Sequence, residues 1–284
     1  MPEVLKVKSP LLKDHIQFVA INGFVPDKGN IIPVMPDGVS ALVINVGKPY
    51  QRSCSLTGEM STVKGSHFVG IKSRACYVKP NFEMRTVSIR FKPGAIKFFL
   101  QNDASELTDQ VVEASLLFGS DIFFLEDKIA GESDPNQILR LVELFLLKKM
   151  IRRPGLVNIS GKIELIYSRP TELRTRDLLG GSRGYKSLER EFIRHLGISP
   201  KTFIDIARFN YSSSLLFREP EAVLTQIGLQ AGYYDQSHFT HSFKKFSGFT
   251  PSQFQTLGSE MFLDNQRIIS EFFNFSKFRR TERN

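Results

Sequence analysis

Arg183, Lys186, Ser187, Arg190 and Arg194 recur at i, i+3, i+4, i+7 and i+11. On a helix that spacing forms a single outward stripe. Such a stripe can donate to phosphate oxygens, and Arg190 within it can pair bidentately with a guanine edge. Glu189, beside the stripe, can accept from the amino group of cytosine. A second set lies within Gly232–Phe254: Tyr234, Gln236, Ser237, His238, Thr240, His241, Lys244 and Lys245. There Phe239, Phe243 and Phe246 recur at i, i+4 and i+7 and share a face, with Ser237, His238, His241 and Lys245 opposite. One such stripe is ordinarily a solvated face. Two of them argue for nucleic acid.

Covalent and metal chemistry are poorly served. His15 and His67 are far apart and lack an HxH or HxxxH partner, and Cys54 and Cys76 have neither metal nor redox spacing. His238 and His241 stand at i, i+3 without a third ligand. The first half has no nucleophile elbow, Gly-rich phosphate loop or paired carboxylates at a telling spacing. No catalytic residue, metal or cofactor is expected, and the chain is not read as an enzyme.

The stripes need helices to carry them, and the sequence makes the carrier twice. LEREFIRHLGISPKTF (188–203) aligns with FTHSFKKFSGFTPSQF (239–254), pairing Phe192 with Phe243, Gly197 with Gly248, Pro200 with Pro251 and Phe203 with Phe254, each 51 residues apart. Thr171–Leu179 and Glu221–Ala231 predict a helix before each, followed by a Gly-containing turn. Helix, turn, helix is thus expected in both units. In the first, Leu188, Phe192 and Tyr185 are expected to point inward. Pro200–Phe217 predicts a connecting helix of 18 residues, about 27 Å long at 1.5 Å per residue. Successive major-groove faces lie roughly 34 Å apart, so the two helices would enter neighbouring grooves with some DNA bending.

The charge distribution agrees. The net charge is +9 and the pI near 9.5, which favours an anionic partner. Of the 38 basic and 29 acidic side chains, 15 and 14 lie in residues 1–133, so 23 and 15 follow. The second half holds nearly all the excess. The start lacks the apolar region of a signal peptide, and Leu141–Leu147 is interrupted by Glu143 and too short to span a bilayer. A cytoplasmic protein without membrane attachment is expected.

The first half alternates in short runs. Ala41–Val46, Phe68–Ile71, Ala75–Lys79 and Arg85–Phe91 predict strands, the last half-buried with Arg85, Val87, Ile89 and Phe91 on one face. Ala95–Gln101 and Asp109–Phe118 predict helices, and Asn136–Arg153 a stronger one with Ile138, Leu141, Val142, Phe145 and Met150 on its apolar face, stopped by Pro154-Gly155. The expected fold class is α+β: an N-terminal antiparallel β-rich barrel or sandwich with helices, then an all-α domain with two helix-turn-helix units joined by a long helix. The expected division is 1–133 for sensing or dimerisation, 134–154 a linker helix, 155–258 for DNA binding and 259–284 a tail. In the tail Lys277, Arg279 and Arg280 are read as a solvated end.

At these residues the chain resembles the AraC/XylS family of bacterial transcriptional regulators, over roughly Gly155–Leu257. The second unit carries the resemblance in Ile227, Gly228, Gly232, Tyr233, Asp235, Ser237, Phe239, His241, Phe243, Lys244, Gly248, Thr250, Pro251, Ser252 and Phe254. The PDG turn at 36–38, RFKPGA at 90–95 and ELTDQ at 106–110 resemble the β-rich N-terminal domain of one branch of that family. Three departures stand out: His241 for the usual Arg, Gly228 for a helix-packing Ala, and Arg176-Asp177 for an apolar-Ala pair. The resemblance implies a regulator binding double-stranded DNA at promoters, most often an activator contacting RNA polymerase. A small-molecule effector at the N-terminal domain and a homodimer fit the same reading. With His241 weakening the outer face of the second unit, Gly184–His195 is expected to supply more of the base contacts. The alternative is a small-molecule-binding protein whose helical half mediates protein contacts.

Overall fold

The computed structural model describes residues 3–24, 31–53, 58–80, 83–151, 159–179 and 184–256. The Pro154-Gly155 stop, Cys54, Arg183 and the tail from 259 lie outside them.

Among the described residues ten strands form two antiparallel sheets. They are β1 (Glu3–Leu5), β2 (Ile16–Phe24), β3 (Ile32–Val34), β4 (Ala41–Asn45), β5 (Tyr50–Ser53), β6 (Ser61–Val63), β7 (His67–Val69), β8 (Cys76–Lys79), β9 (Met84–Phe91) and β10 (Val111–Glu113). The larger sheet runs β1-β2-β9-β4-β7-β10 and the smaller β3-β8-β5-β6. β9 is central, pairing Val87 with Ile21 on one side and with Ile44 on the other. Val87, Ile89 and Phe91 are buried, as the alternation predicts, but Thr86 is buried too and Arg90 nearly so. Both faces of β9 are therefore covered. Arg90 lies over the Asp37 carboxylate, which also takes Lys72 at 3.5 Å.

The helices of this half are α1 (Ala114–Phe118), α2 (Asp121–Ala130) and α3 (Pro135–Lys149). Asp134 caps α3 by accepting from the Asn136 amide at 3.0 Å, with Pro135 in the first turn. Ile138, Leu139, Val142, Phe145 and Leu146 enter the same core as Val19, Leu42, Ile89 and Phe91. Two expected helices are shorter. Ala95–Phe98 is a single 3-10 turn. Of the helix predicted over 109–118, the first part is β10, pairing Val112 with Phe68, and only Ala114–Phe118 is helical. The free edge of β7 captures a Val-Val pair whose β-branched side chains suit a strand.

The second half is helical: α4 (Ser160–Ser168), α5 (Tyr185–Leu196), α6 (Pro200–Arg218), α7 (Leu224–Gln230), α8 (Gln236–Ser247) and α9 (Pro251–Thr256). The helix predicted over Thr171–Leu179 is reduced to a 3-10 turn at Thr175–Leu178. Arg176 and Asp177 are exposed and Asp177 accepts from the Arg174 amide at 2.7 Å, so this stretch buries too little apolar surface to hold a full helix. α6 is the spine. Its 19 residues span about 28 Å, and Phe209 through Leu216 are buried without a break. Among the described residues no helix is long and apolar enough to cross a membrane.

His67 gives this fold a pH signature. It is buried, with a ring nitrogen 2.6 Å from the Tyr50 hydroxyl, and burial lowers its pKa from 6.5 to about 4. Between those values the unfolded chain binds the extra proton, so stability falls as pH drops from about 6.5 towards 4. His67→Gln is expected to flatten that part of the curve. Urea midpoints of both proteins across pH 7 to 4 check it, and identical slopes would refute it.

Candidate nucleic-acid interface

The two halves of the repeat match in backbone as well as in letters. α5 ends at Gly197 with φ 80° and α8 at Gly248 with φ 81°, the left-handed region where glycine is favoured. Two residues on, Ser199 accepts from the Thr202 amide at 3.1 Å, and Thr250 accepts from the Gln253 amide at 3.2 Å. Pro200 and Pro251 then open α6 and α9, while Phe203 and Phe254 return to the core. One local sequence folds the same way twice.

α5 is seated through Leu188, Phe192 and Leu196, with Phe192 meeting Phe203 edge-on at 6.2 Å between ring centroids. Lys162 on α4 reaches Glu191 at 2.8 Å. Lys186, Arg190 and Arg194 are exposed on the far side; Ser187 and Glu189 are half-buried. Arg190 folds back along its own helix, Nε donating to the Lys186 carbonyl at 3.4 Å. Tyr185, expected inside, is instead 43% exposed at the helix N-terminus. It precedes Leu188 by three residues, on the first turn of the helix. It therefore joins the outward set that the periodicity had assigned to the core.

α8 is seated more deeply. Phe239, Phe243 and Phe246 are all buried, and Phe243 contacts Phe209, Phe239 and Phe254. Asp235 caps the helix, accepting from the His238 amide at 2.7 Å. Tyr234, Gln236, Ser237, His238, His241, Lys244 and Lys245 are exposed, with Thr240 half-buried. Several are already engaged. Gln236 is tied to Thr225 of α7 at 3.0 Å, the His238 ring stands edge-on to Tyr233, and Lys245 lies over the Phe246 ring. Gly228 on α7 has a packing reason: a Cβ there would come within 3.0 Å of the Phe239 ring. Its helix-propensity cost of about 1 kcal/mol accompanies a close approach of α7 to α8.

Among the described residues, none of Lys186, Arg190, Arg194 or Lys244 forms an ion pair. Of the carboxylates beside the two helices, Glu191 pairs with Lys162, Asp235 accepts from the His238 amide, and burial pushes the Asp205 carboxyl up, opposed by Arg208, Lys201, Lys245 and His238; Glu189 stands half-buried beside the stripe. Lys186, Arg190, Arg194 and Lys244 are thus exposed cations without a carboxylate partner among the described residues. No group of three or more His, Cys, Asp or Glu is placed to hold a metal ion among the described residues.

Two helix-turn-helix units on one buried connecting helix, each presenting a polar helix outward, define a DNA-binding helix-turn-helix domain. Residues 182–256 match the helix-turn-helix domain family, and residues 9–113 match a domain of unknown function. The former places a helix-turn-helix domain over both outward helices, the stretch that carries the resemblance to the AraC/XylS family. It is 35% identical over 66 residues to an uncharacterised HTH-type transcriptional regulator of Haemophilus influenzae, covering 23% of this chain and 22% of that one. It is 30% identical over 73 residues to the HTH-type transcriptional regulator MtrA of Neisseria gonorrhoeae, covering 26% and 24%. The chain thus spans less than a quarter of the length of these relatives. Among solved structures, ToxT from Vibrio cholerae covers 85% of this chain and 99% of its own, with a TM-score of 0.49 and 14% identity.

Proposed function

We propose that this protein is a sequence-specific DNA-binding regulator of transcription of the AraC/XylS type, acting as an activator, with α5 and α8 entering adjacent major grooves. What supports the reading most is the pair of repeat-equivalent helices whose exposed Lys186, Arg190, Arg194 and Lys244 form no ion pair among the described residues. On this reading Lys186, Arg190 and Arg194, together with Arg183, serve phosphates and a guanine edge, while Ser187 and Glu189 read at shorter reach. Tyr234 before α8 and Ser237, Thr240, His241 and Lys244 on it are the further contacts; Gln236, His238 and Lys245, engaged by Thr225, Tyr233 and Phe246, serve register. The division goes with it: a sensing or dimerisation domain over 1–133, a connecting helix over 134–154, a DNA-binding domain over 155–258 and a tail over 259–284. RNA polymerase, a small-molecule effector and a second copy of the chain are the further partners of this proposal.

Selection of binding sites from random duplex, followed by affinity measured against salt, tests it. Phosphate contacts make affinity fall steeply with salt. Arg190→Ala is expected to weaken binding to the selected site by about 1–3 kcal/mol and to relax preference at one base pair. Binding to the selected site no tighter than to random duplex would refute the proposal.

A further inference from the structure

The N-terminal half touches α5 and α8 at the same end, on carbonyls one repeat position apart. Thr108, just after the 3-10 turn at Ala104–Leu107, donates from Oγ1 to the Gly197 carbonyl at 3.0 Å. Tyr77 on β8 donates from its hydroxyl to the Ser247 carbonyl at 3.3 Å. Gly197 and Gly248 are the paired C-caps of α5 and α8, and each is approached too closely for a side chain. A Cβ on Gly197 would stand 2.1 Å from Thr108 Oγ1 and 2.5 Å from the Ala104 carbonyl; one on Gly248 would stand 2.1 Å from the Tyr77 hydroxyl. Carbonyls at a helix C-terminus lack intrahelical donors, so each hydroxyl satisfies a group the helix leaves open.

The two donors are also fastened to each other. Asp109, next to Thr108, accepts from the Ser73 amide at 2.7 Å and from the Ser73 hydroxyl, and the Asp109 amide donates to the Ile71 carbonyl at 2.9 Å. Ser73 leads directly into β8 and Tyr77. Asp109 adopts φ 59°, the one positive value outside glycine among the described residues. A backbone held in the sparsely populated left-handed region, with both carboxylate oxygens used, is a fixed joint. Tyr77 is itself buried in the helical core, beside Ile71 and Ala75.

The grip falls on the helix ends away from the reading faces. Tyr185, Lys186 and Arg190 stay exposed on α5, and so do Gln236, Ser237 and His241 on α8, with the N-terminal half in place. The contact therefore does not cover what would meet a duplex. We infer that Thr108 and Tyr77 are positioning residues that act as a two-point caliper, setting the angle and separation of α5 and α8 and so selecting the spacing of the two half-elements in a DNA site. The selection of spacing rests on the DNA-binding reading; the caliper itself does not.

The test uses the full chain carrying Thr108→Val and Tyr77→Phe together, substitutions that remove two hydroxyls and almost no volume. Spin labels on Lys186→Cys and Lys244→Cys, with Cys54→Ser, report the distance between α5 and α8 without DNA. The double variant is expected to broaden a narrow distribution while its melting curve stays cooperative. On duplexes with one or two base pairs inserted between the half-elements, the wild type should lose affinity. The double variant should lose about tenfold less, the order expected for the loss of two neutral hydrogen bonds. A distance distribution no wider than that of the wild type overturns the caliper whether or not DNA binds. A broadened distribution with an unchanged spacing penalty overturns its role in site selection. Failure of the wild type to bind any selected duplex refutes the DNA-binding reading and with it that role, leaving the caliper to the distance measurement.

Discussion

Phe243→Ala is expected to lower the stability of the chain by about 3–5 kcal/mol, the range for removing a buried phenylalanine. The ring is fully buried and lies 5.0 Å from Phe209, 5.6 Å from Phe239 and 5.2 Å from Phe254, each meeting it near edge-on. Those three partners belong to α6, α8 and α9, so one side chain ties the second reader to the spine and to the helix that follows. Each aromatic pair adds about 0.5–1.5 kcal/mol beyond burial, and the cavity cannot close without moving α8. His241→Ala, on the exposed side of the same helix, should stay within about 0.5 kcal/mol of the wild type. Urea unfolding of the three proteins separates these outcomes. A loss below about 1 kcal/mol for Phe243→Ala, or an equal loss for the two variants, would show that α8 is not seated as described. Binding should follow the opposite order where the proposed function holds: His241→Ala weakens contact with DNA without touching the fold.

The readable parts of this molecule were those whose pattern is local. Phe239, Phe243 and Phe246 point inward because a helix of 3.6 residues per turn must place them together. Gly197 and Gly248 end their helices because the left-handed cap favours glycine, and the repeat makes the same demand twice. β4, β8 and β9 followed from alternation and bounding turns. The failures were non-local. Val111 and Val112 become strand because β7 has an edge to fill, a fact about residues more than forty positions away. Tyr185 lies outside although it stands three residues before the buried Leu188, because helical spacing alone does not say which turn of a face is covered. At the candidate site, the outward stripes were legible from spacing alone, but not that Gln236 and His238 are held by Thr225 and Tyr233. Nor could spacing show Thr108 and Tyr77 reaching the two C-caps. A hydroxyl in a loop and a tyrosine in a strand carry no mark of the helix they will meet.

Asp37 is the second position where a single change should be severe. It sits in the Pro36-Asp37-Gly38 turn and is buried, with Lys72 at 3.5 Å and the Arg90 guanidinium against its other oxygen. Two cations share one carboxylate, and Arg90 Nε has no hydrogen-bond partner among the described residues. Asp37→Ala therefore strips Arg90 of its carboxylate and leaves Lys72 only the attraction of Asp109, a change expected to cost about 3–5 kcal/mol. Burial already lowers the Lys72 pKa from 10.5 to about 8. Between those values the unfolded chain holds the proton that the folded chain releases, so Lys72 makes stability rise with pH from about 8 to about 10.5. Without Asp37 the depression deepens and the rise should start at lower pH. Lys72→Met should abolish it, and adding Lys72→Met to Asp37→Ala should recover part of the loss, because one of the two buried charges is gone. Urea midpoints for the four proteins between pH 7 and 10.5 give both readings at once. A loss under about 1 kcal/mol for Asp37→Ala, or a pH dependence unchanged by Lys72→Met, would show that these charges are solvated rather than paired. The position matters beyond stability because Gly38, the next residue, backs onto Phe203 and Tyr167, where a Cβ would fall 3.1 Å and 3.3 Å away. The turn that Asp37 holds is thus the floor on which the first helix-turn-helix unit rests. Loosening it should reach α5 through the packing of Phe203 on Phe192 before it reaches α8.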